Sequence, residues 1–476
     1  MMPHVVVVGG GLAGLVVAHA LEAEARVTIL DASSRPGGKI RTDLVDGCLV
    51  ESGPDSFLST KPHALALCDE LGMAAELEGT IPRRTRGLIA RNGKLHPLPE
   101  GLSGLIPARL RPMLSTSLLS PGARARFLAE WFVPPQPAGE DESIASFARR
   151  RFGDEAWQWL IEPLLGGIFG GDGERLSLRA TFPALVDIER RTGSVLAGLR
   201  ETKRPRPSHP SPFVAPRGGM QRLTDVLQAR FAPGIVVDTR VKSIEQQEPG
   251  WVVNASDNRI ECEVVVLALP ANEAASVVEK TDAELASILA AIEFVSATVV
   301  NLAYDADGFG APLDGYGYLN PRAGGRDVMA CTWTSSKFEH RTPPDAILLR
   351  CFLRGEQWSD NSLASDADLA EACRTELRDA LGVTVEPRWT RAARWPAAMP
   401  QYNVGHLERM QSLDGALGRH SGLFLTGNSY RGVGIPDTIA HARFVAKRIR
   451  ERFGLARSRR FRAEQHRFET GGEEMP

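Results

Sequence analysis

A glycine-rich turn between an apolar run and a helical segment constrains the fold of this chain more than any other feature. Val5–Val8 is wholly apolar, as expected for a buried parallel strand, and residues 15–24 have helical periodicity. The turn between them has the spacing G-x-G-x-x-G, with glycines at Gly9, Gly11 and Gly14. A second apolar run follows at 27–31. The pattern predicts a βαβ unit at the N-terminus.

The positions of this turn suit a site for a dinucleotide. Gly9 allows the tight turn, Gly11 lets the backbone approach a pyrophosphate, and Gly14 lets the helix pack closely on the strand. The helix N-terminus turns its positive end to the phosphates, and Asp31 is placed to accept a hydrogen bond from a ribose hydroxyl. A chance glycine-rich turn would not explain strand, helix and acid together. The predicted contacts here are Gly9, Gly10, Gly11, Leu12, Ala13, Gly14, Asp31 and Ala32.

Composition excludes several other classes of protein. The 476 residues suit two or three domains, and a net charge of -2 argues against nucleic-acid binding. The six cysteines form no C-x-x-C pair and the histidines no H-x-x-x-H pattern, so we expect reduced thiols and no metal site. No apolar run approaches the roughly 20 residues of a spanning helix. We expect a soluble, cytoplasmic protein.

The rest of the chain divides into segments of different periodicity. Residues 102–202 read as helical, and the Pro-rich, basic stretch 203–216 reads as a surface loop at a domain boundary. Strand patterns follow at 234–244, 251–255, 259–269 and within 295–355. A strand at 423–426 precedes a closing helix at 436–453, and the polar tail 455–476 is predicted to be disordered. The predicted fold class is α/β, α+β overall.

Two further segments point beyond a general dinucleotide site. Residues 35–39 read RPGGK, where two adjacent glycines let the chain pass close to a bulky ligand and Lys39 adds a cation near its phosphates. Residues 427–437 read GNSYRGVGIPD and join a strand to the last helix, whose N-terminus would stabilise negative charge on a reduced flavin. The R-x-G-G-[KR] element resembles that of monoamine-oxidase-like flavoproteins, where it lies against FAD.

Together these motifs resemble the oxygen-dependent porphyrinogen oxidases of haem biosynthesis, from about residue 4 to residue 453. Besides the N-terminal motif, the segments that carry the resemblance are 51–57 (ESGPDSF), 161–185, 394–410 and 427–437. The resemblance implies a Rossmann-like FAD-binding domain, a mixed-sheet substrate domain and an inserted helical domain. It assigns 1–80, 214–270 and 385–454 to the first, 81–101 and 271–384 to the second, and 102–213 to the third.

The resemblance also implies non-covalent FAD and further contacts to it. With Gly38 and Lys39 they are Gly53, Pro54, Asp55, Ser56, Val241, Trp395, Gly434, Ile435 and Pro436. On the substrate side, Gly167 matches a glycine whose carbonyl lies beside the macrocycle, and Tyr316 and Leu319 match residues that sandwich it. Sheet core would explain Leu319 equally well.

One departure from the family concerns an arginine that holds a propionate in protoporphyrinogen-type enzymes. Gly87 stands at its position and Arg86 one residue earlier, so Arg86 would point to the opposite face of a strand. The neighbouring basic residues could serve four propionates or form a solvated surface; they are Arg83, Arg84, Arg91 and Lys94. Segments 37–42, 161–165 and 399–406 lean towards the Gram-positive type, which acts on coproporphyrinogen III.

These observations predict an enzyme that oxidises coproporphyrinogen III to coproporphyrin III with dioxygen, releasing hydrogen peroxide. The alternative substrate is protoporphyrinogen IX, and less favoured alternatives are another amine-oxidase-like flavin oxidase or a flavin-binding protein without turnover. No strong protein base is expected, because proton losses can follow by tautomerisation in the ring. Hand-off to the next haem-pathway enzyme and peripheral contact of residues 102–202 with the inner face of the membrane are left open.

Overall fold

The computed structural model describes residues 2–82, 86–103, 105–107, 109–137, 139–201, 209–256, 258–360 and 363–455. Arg83, Arg84, residues 203–208 of the predicted loop and residues 456–476 of the predicted tail lie outside these ranges.

A five-stranded parallel sheet forms around the N-terminal βαβ unit, which confirms that prediction. Its strands, in spatial order, are Ile235–Val236, Arg26–Leu30, His4–Val8, Val264–Leu267 and Leu423–Leu425. The central runs Val5–Val8 and Val264–Leu267 are apolar and buried because both faces of the sheet are covered. The first helix, Leu12–Leu21, begins three residues earlier than the periodicity indicated, directly after the extended Gly11.

Each face of the parallel sheet packs against its own layer. One face is covered by the first helix, Gln221–Phe231 and the last helix, Ile435–Phe453. The other face is covered by an antiparallel sheet and by helices; they are Val241–Gln247, Gly250–Ala255, Asn258–Cys262, Ala271–Val278, Ala283–Ala290 and His406–Leu417. The strand predicted at 259–269 is therefore two strands in different sheets. The first half alternates polar and apolar residues, the second is apolar, and no glycine or proline separates them, so the pattern alone could not show the change of sheet.

A second, seven-stranded sheet lies beside the parallel sheet. Its strands, in spatial order, are Trp389–Pro400, Phe294–Asp305, Ala346–Leu353, Val328–Trp333, Gly317–Leu319, Gly87–Arg91 and Lys94–Pro97. The strands predicted within 295–355 are confirmed. Helix Asp366–Leu381 packs on this sheet through Leu369, Cys373 and Leu377. Trp389–Pro400 belongs to this sheet, although the sequence prediction assigned residues from 385 onward to the first domain.

The helical region is confirmed and has its own core. Its helices are Leu110–Ser115, Pro121–Leu128, Ile144–Phe152, Asp154–Ala156, Glu162–Phe169, Leu178–Thr181, Pro183–Thr192 and Val195–Glu201. Leu118, Leu119 and Phe127 belong to this core, whereas the Phe132 side chain is 88% exposed. None of the helices that the structure describes is both long and apolar enough to cross a membrane.

Smaller elements connect these layers and correct one local prediction. Strands Phe57–Leu58 and Leu77–Gly79 flank Phe213–Pro216, which is a strand and not the end of a loop. Helix Pro62–Glu70 begins after Lys61, and the Ser59 hydroxyl donates to the carbonyl of Ser211 at 2.6 Å. The remaining short elements are the hairpin Thr42–Val45 and Cys48–Glu51, the pair Leu102–Ser103 and Ile106–Pro107, and helix Thr334–Lys337.

Candidate functional site

A cavity of about 1580 Å³ lies where the carboxyl ends of the parallel strands meet the seven-stranded sheet and helix Glu162–Phe169. The carboxyl edge of an open α/β sheet is where such folds bind ligands. The volume exceeds the roughly 300–1,000 Å³ of a pocket for one small molecule. The cavity therefore has room for two large ligands.

The glycine turn forms one end of this cavity, and its glycines differ in what a side chain would meet. A Cβ on Gly11 would point into open space, with Gly38 Cα, the nearest atom, 3.9 Å away. A Cβ on Gly14 would lie 2.0 Å from the Gly9 carbonyl oxygen, so Gly14 serves helix packing, as predicted. Gly11 is thus the position where backbone leaves space for a ligand. Gly9, Leu12 and Ala13 also line the cavity.

Asp31 lies at the cavity wall, as the motif predicts. Its carboxylate accepts hydrogen bonds from the Gly10 amide at 2.6 Å and from the Ser33 amide at 2.7 Å. Gly10 itself is buried behind Asp31 and does not reach the cavity, whereas Ala32 and Val241 do. Asp31 therefore holds the turn in shape, and each carboxylate oxygen keeps a lone pair for a further donor.

The segment after the second strand lines the cavity with Gly37, Gly38 and Lys39. Gly37 donates its amide to the Gly10 carbonyl at 2.8 Å, which fixes Gly38 beside Gly11. The Lys39 ammonium donates to the carbonyl of Ala398 at 2.7 Å, on the seven-stranded sheet. Burial lowers the pKa of Lys39 to about 8. An anion bound at this wall would favour the charged lysine.

A buried ionic cluster supports the wall formed by Gly53, Pro54, Asp55 and Ser56. Lys337 donates to both oxygens of Asp55 at 3.0 and 2.9 Å, and Arg350 donates to the carbonyl of Gly53. Burial alone would raise the pKa of Asp55, but the charges of Lys337 and Arg350 hold it well below its usual range. Asp55 is therefore a fixed anion at this wall and not a proton acceptor.

Two C-terminal elements, strand Trp389–Pro400 and the last helix, complete the end of the cavity formed by the glycine turn. Trp395 lines the cavity and donates its indole N–H to the carbonyl of Ser52 at 2.7 Å. Beyond it, Ala397 has a left-handed φ of 45°, a strained conformation that clusters at ligand sites. The last helix begins at the cavity, where Gly434 and Ile435 line it and Pro436 is buried in the first turn. A helix N-terminus at this point favours negative charge on a ligand.

The predicted substrate residues are only partly brought together. Gly167 lines the cavity, and a Cβ on it would lie 3.4 Å from Leu319, which packs against the helical core behind it. Tyr316 lies elsewhere: its hydroxyl bonds to the Thr80 hydroxyl at 2.9 Å and its ring meets Phe213 edge-on. Arg86 is exposed and does not line the cavity, although its carbonyl accepts from the Tyr316 amide at 2.7 Å.

Of the other basic residues near Arg86, the two that the structure describes do not line the cavity. Arg91 pairs with Glu155 at 2.9 Å and lies over the Trp159 ring, and Lys94 is exposed. The cations that do line the cavity include Arg322, Arg326, Arg350 and Arg354, which sequence reasoning missed. Their signal in the sequence was weak: Arg350 and Arg354 lie within and just after an apolar strand, and Arg322 and Arg326 lie in a loop. No group of three or more potential metal ligands occurs among the described residues, and no cysteine or histidine among them lines the cavity.

This site can hold a dinucleotide cofactor. Gly11 leaves the space that a pyrophosphate needs, Asp31 offers lone pairs, and Lys39 and a helix N-terminus supply positive charge at one wall. These groups can bind and orient a cofactor and stabilise charge on it. The cavity wall near Gly167 remains for a second ligand.

Comparisons with known proteins agree with this geometry. The family described as flavin containing amine oxidoreductase matches residues 12–450. A coproporphyrinogen III oxidase of Bacillus subtilis is 33% identical, covering 92% of this chain and 95% of that protein. A chloroplastic protoporphyrinogen oxidase of Arabidopsis thaliana is 29% identical over 90% of this chain and 84% of its own.

A solved structure has a similar fold. It comes from Exiguobacterium sp. 255-15 and is provisionally assigned to the protoporphyrinogen oxidases. Its TM-score is 0.84 at 28% identity, covering 94% of this chain and 99% of that one.

Proposed function

Because this chain belongs to the flavin-containing amine oxidoreductase family, and is thus a flavin-dependent oxidoreductase, we propose that it binds FAD non-covalently and oxidises coproporphyrinogen III. The observation that supports this most is the single cavity that runs from the glycine turn to the helix bearing Gly167. A cofactor and a macrocycle need one continuous space of this kind.

The overall reaction balances with dioxygen as oxidant. Coproporphyrinogen III loses six hydrogens, three dioxygen molecules accept them, and coproporphyrin III and three hydrogen peroxide molecules form. Bound FAD supplies the two-electron chemistry of each step. The chain's own part is to orient cofactor and substrate, to exclude water, and to provide fixed charge at Asp55, Lys337 and Arg350.

In this proposal, proton removal from the macrocycle does not rely on the two carboxylates at the cofactor end of the cavity. Asp55 is held ionised by buried cations, and Asp31 already accepts two backbone amides. No cysteine or histidine of the described residues lines the cavity. Tautomerisation within the ring accounts for the proton losses in this proposal.

The preference for coproporphyrinogen III over protoporphyrinogen IX is supported by the relatives and by charge. The B. subtilis relative carries that name at 33% identity. Coproporphyrinogen has two extra propionates where protoporphyrinogen has vinyls, and a carboxylate is costly to bury unless it is paired or reaches water. Arginines line this cavity, which suits the more acidic substrate.

The test is a comparison of kcat/KM for the two porphyrinogens, with flavin-loaded enzyme, equal oxygen and the same detergent. Peroxide formed per porphyrin is measured in the same assay. We expect coproporphyrinogen III to be the better substrate, with three peroxides per porphyrin. Arg86→Ala should leave both values unchanged, because Arg86 is exposed and away from the cavity. A preference for protoporphyrinogen IX that the Arg86 variant loses would overturn this choice.

The alternatives predict other outcomes in that assay. An oxidase for another substrate would turn over amines and leave both porphyrinogens untouched. A flavin-binding protein without turnover would bind porphyrin but form no peroxide. A cytoplasmic location, membrane contact and hand-off of product to the next enzyme of the pathway stay predictions.

A further inference from the structure

Three arginines line the cavity together where three inner strands of the seven-stranded sheet begin or end: Arg322, Arg326 and Arg354. The loop between strands Gly317–Leu319 and Val328–Trp333 carries the first two. Arg354 directly follows strand Ala346–Leu353, and its amide donates to the Asp327 carbonyl at 2.9 Å. Strand pairing thus brings Arg354 to the same cavity wall as Arg322 and Arg326, which lie 28 or more positions earlier in the chain.

Two of these arginines have carboxylate partners. Arg326 pairs with Asp379 at 2.5 Å, on helix Asp366–Leu381. Arg322 pairs with Glu162 at 3.2 Å and donates to the Gly171 carbonyl at 2.8 Å. Arg322 is therefore tied to both ends of the helix that carries Gly167.

Arg354 is the exception. Its Nη2 donates to the Asn320 carbonyl at 2.5 Å, and its buried Nε has no acceptor. Among the described residues, no carboxylate forms an ion pair with it. Burial lowers the pKa of Arg354, the charges of Glu162 and Asp327 oppose this, and the charge of Arg322 adds to it. Arg354 thus lies close to a second cation and to two carboxylates, with neither of which it forms an ion pair.

Acidic residues also line this wall, and two of them already accept hydrogen bonds from neighbouring protein groups. Asp172 accepts from the Glu174 amide at 3.0 Å, and Glu356 accepts from the Ser296 hydroxyl at 2.9 Å. Asp327 lines the wall without an ion pair to Arg354. An incoming carboxylate therefore finds an incompletely paired guanidinium, which offers a planar fork of donors.

We propose that Arg354, flanked by Arg322, binds a propionate carboxylate of the substrate. This rests on the proposed function and adds the residue that makes the enzyme require a free acid. Arg350 lies in strand Ala346–Leu353 and Arg354 directly follows it, four residues or about 13 Å further along extended chain. The carboxylate site and the wall beside Gly53 thus stand at separate parts of the cavity, with space for the body of a macrocycle between them.

The experiment measures equilibrium binding of coproporphyrin III and of its tetramethyl ester to the flavin-loaded protein, by fluorescence quenching in detergent. The ester has the same ring and no charge. In the wild type we expect the acid to bind more tightly than the ester. Arg354→Gln should weaken the acid about ten- to a hundredfold and leave the ester nearly unchanged, since a charged hydrogen bond is lost.

Companion variants separate this effect from damage to the fold. Arg354→Lys should restore part of the preference for the acid, and Arg322→Gln should reduce it less than Arg354→Gln does. Arg378→Gln, an exposed arginine on helix Asp366–Leu381, is the matched control and should bind both probes as the wild type does. Unchanged flavin absorbance and thermal unfolding would show that each variant is intact.

The outcomes distinguish the two proposals. Equal acid-to-ester ratios in wild type and Arg354→Gln would overturn the carboxylate site, whatever the turnover. If Arg354→Gln fails to fold, Arg322→Gln decides, and an unchanged ratio in that variant counts against the proposal. Absence of turnover with either porphyrinogen would overturn the proposed function, and the proposed role of Arg354 with it.

Discussion

At the scale of single residues, Gly11 shows most clearly that a position can serve a ligand and not the fold. A side chain there has open space before it, whereas one on Gly14 would collide with the backbone. We expect Gly11→Val to fold normally and to lose its flavin, because the valine occupies the space of the pyrophosphate. Flavin absorbance of the purified variant measures its cofactor content, and thermal unfolding shows whether it folds normally. The matched variant Gly14→Ala should instead lower the unfolding temperature, and full flavin content in Gly11→Val would contradict the placement of the cofactor.

Lys39 gives a prediction for pH. Its pKa of about 8 in the cofactor-free protein reflects burial, and a nearby phosphate would raise it. Binding therefore favours the protonated lysine, so flavin affinity should fall as pH rises through about 8, and binding near that pH should take up a proton.

Titration calorimetry in two buffers of different ionisation enthalpy measures this proton uptake. Lys39→Met should abolish the uptake and weaken binding. Equal apparent enthalpies in both buffers for the wild type would mean that Lys39 keeps its bond to Ala398 and does not meet the phosphates.

At the scale of elements, the pair Asp55–Lys337 joins the wall 53–56 to helix Thr334–Lys337. Removing one partner of a buried pair costs about 3–5 kcal/mol, and Arg350, 3.8 Å from Asp55, offsets only part of the lost charge. Lys337→Met should therefore lower the free energy of unfolding by this order at neutral pH, and Lys337→Met with Asp55→Asn should recover part of the loss. Urea unfolding measures both.

The exposed pair Lys61–Asp437 is the control for this cluster. Its lysine side chain is 48% exposed, so Lys61→Met should cost under about 1 kcal/mol. An equal loss of unfolding free energy in Lys337→Met and Lys61→Met would mean that burial does not strengthen the Asp55–Lys337 pair.

The stability that this cluster provides also depends on pH. Since the pKa of Asp55 is depressed in the fold, its stabilising contribution is present above the usual pKa of a carboxyl and is lost as pH falls below it.

At the scale of the whole molecule, the cavity lies between the parallel sheet and the seven-stranded sheet, so a bound cofactor contacts both. Flavin at a hundredfold excess over its dissociation constant should stabilise the fold by about 2.7 kcal/mol, seen as a higher unfolding temperature. No cysteine or histidine of the described residues lines the cavity, so denaturation should release the flavin. Flavin that remains with the precipitated protein would contradict non-covalent binding.

The sequence by itself determined the features that depend on near neighbours in the chain. The βαβ unit, the turn at Gly9–Gly14, the acid at Asp31 and the start of the last helix near Pro436 all follow from local spacing and backbone sterics. The strands within 295–355 follow from alternation in the same way.

Tertiary structure decided what depends on pairing between distant strands. It split residues 259–269 between two sheets, turned Tyr316 towards Thr80 and left Arg86 exposed. It also buried Arg350 against Gly53 and brought Arg354 beside Arg322. Periodicity tells which face of a strand is apolar, but the register and order of strands decide what each side chain meets, and these are set by contacts far apart in the chain.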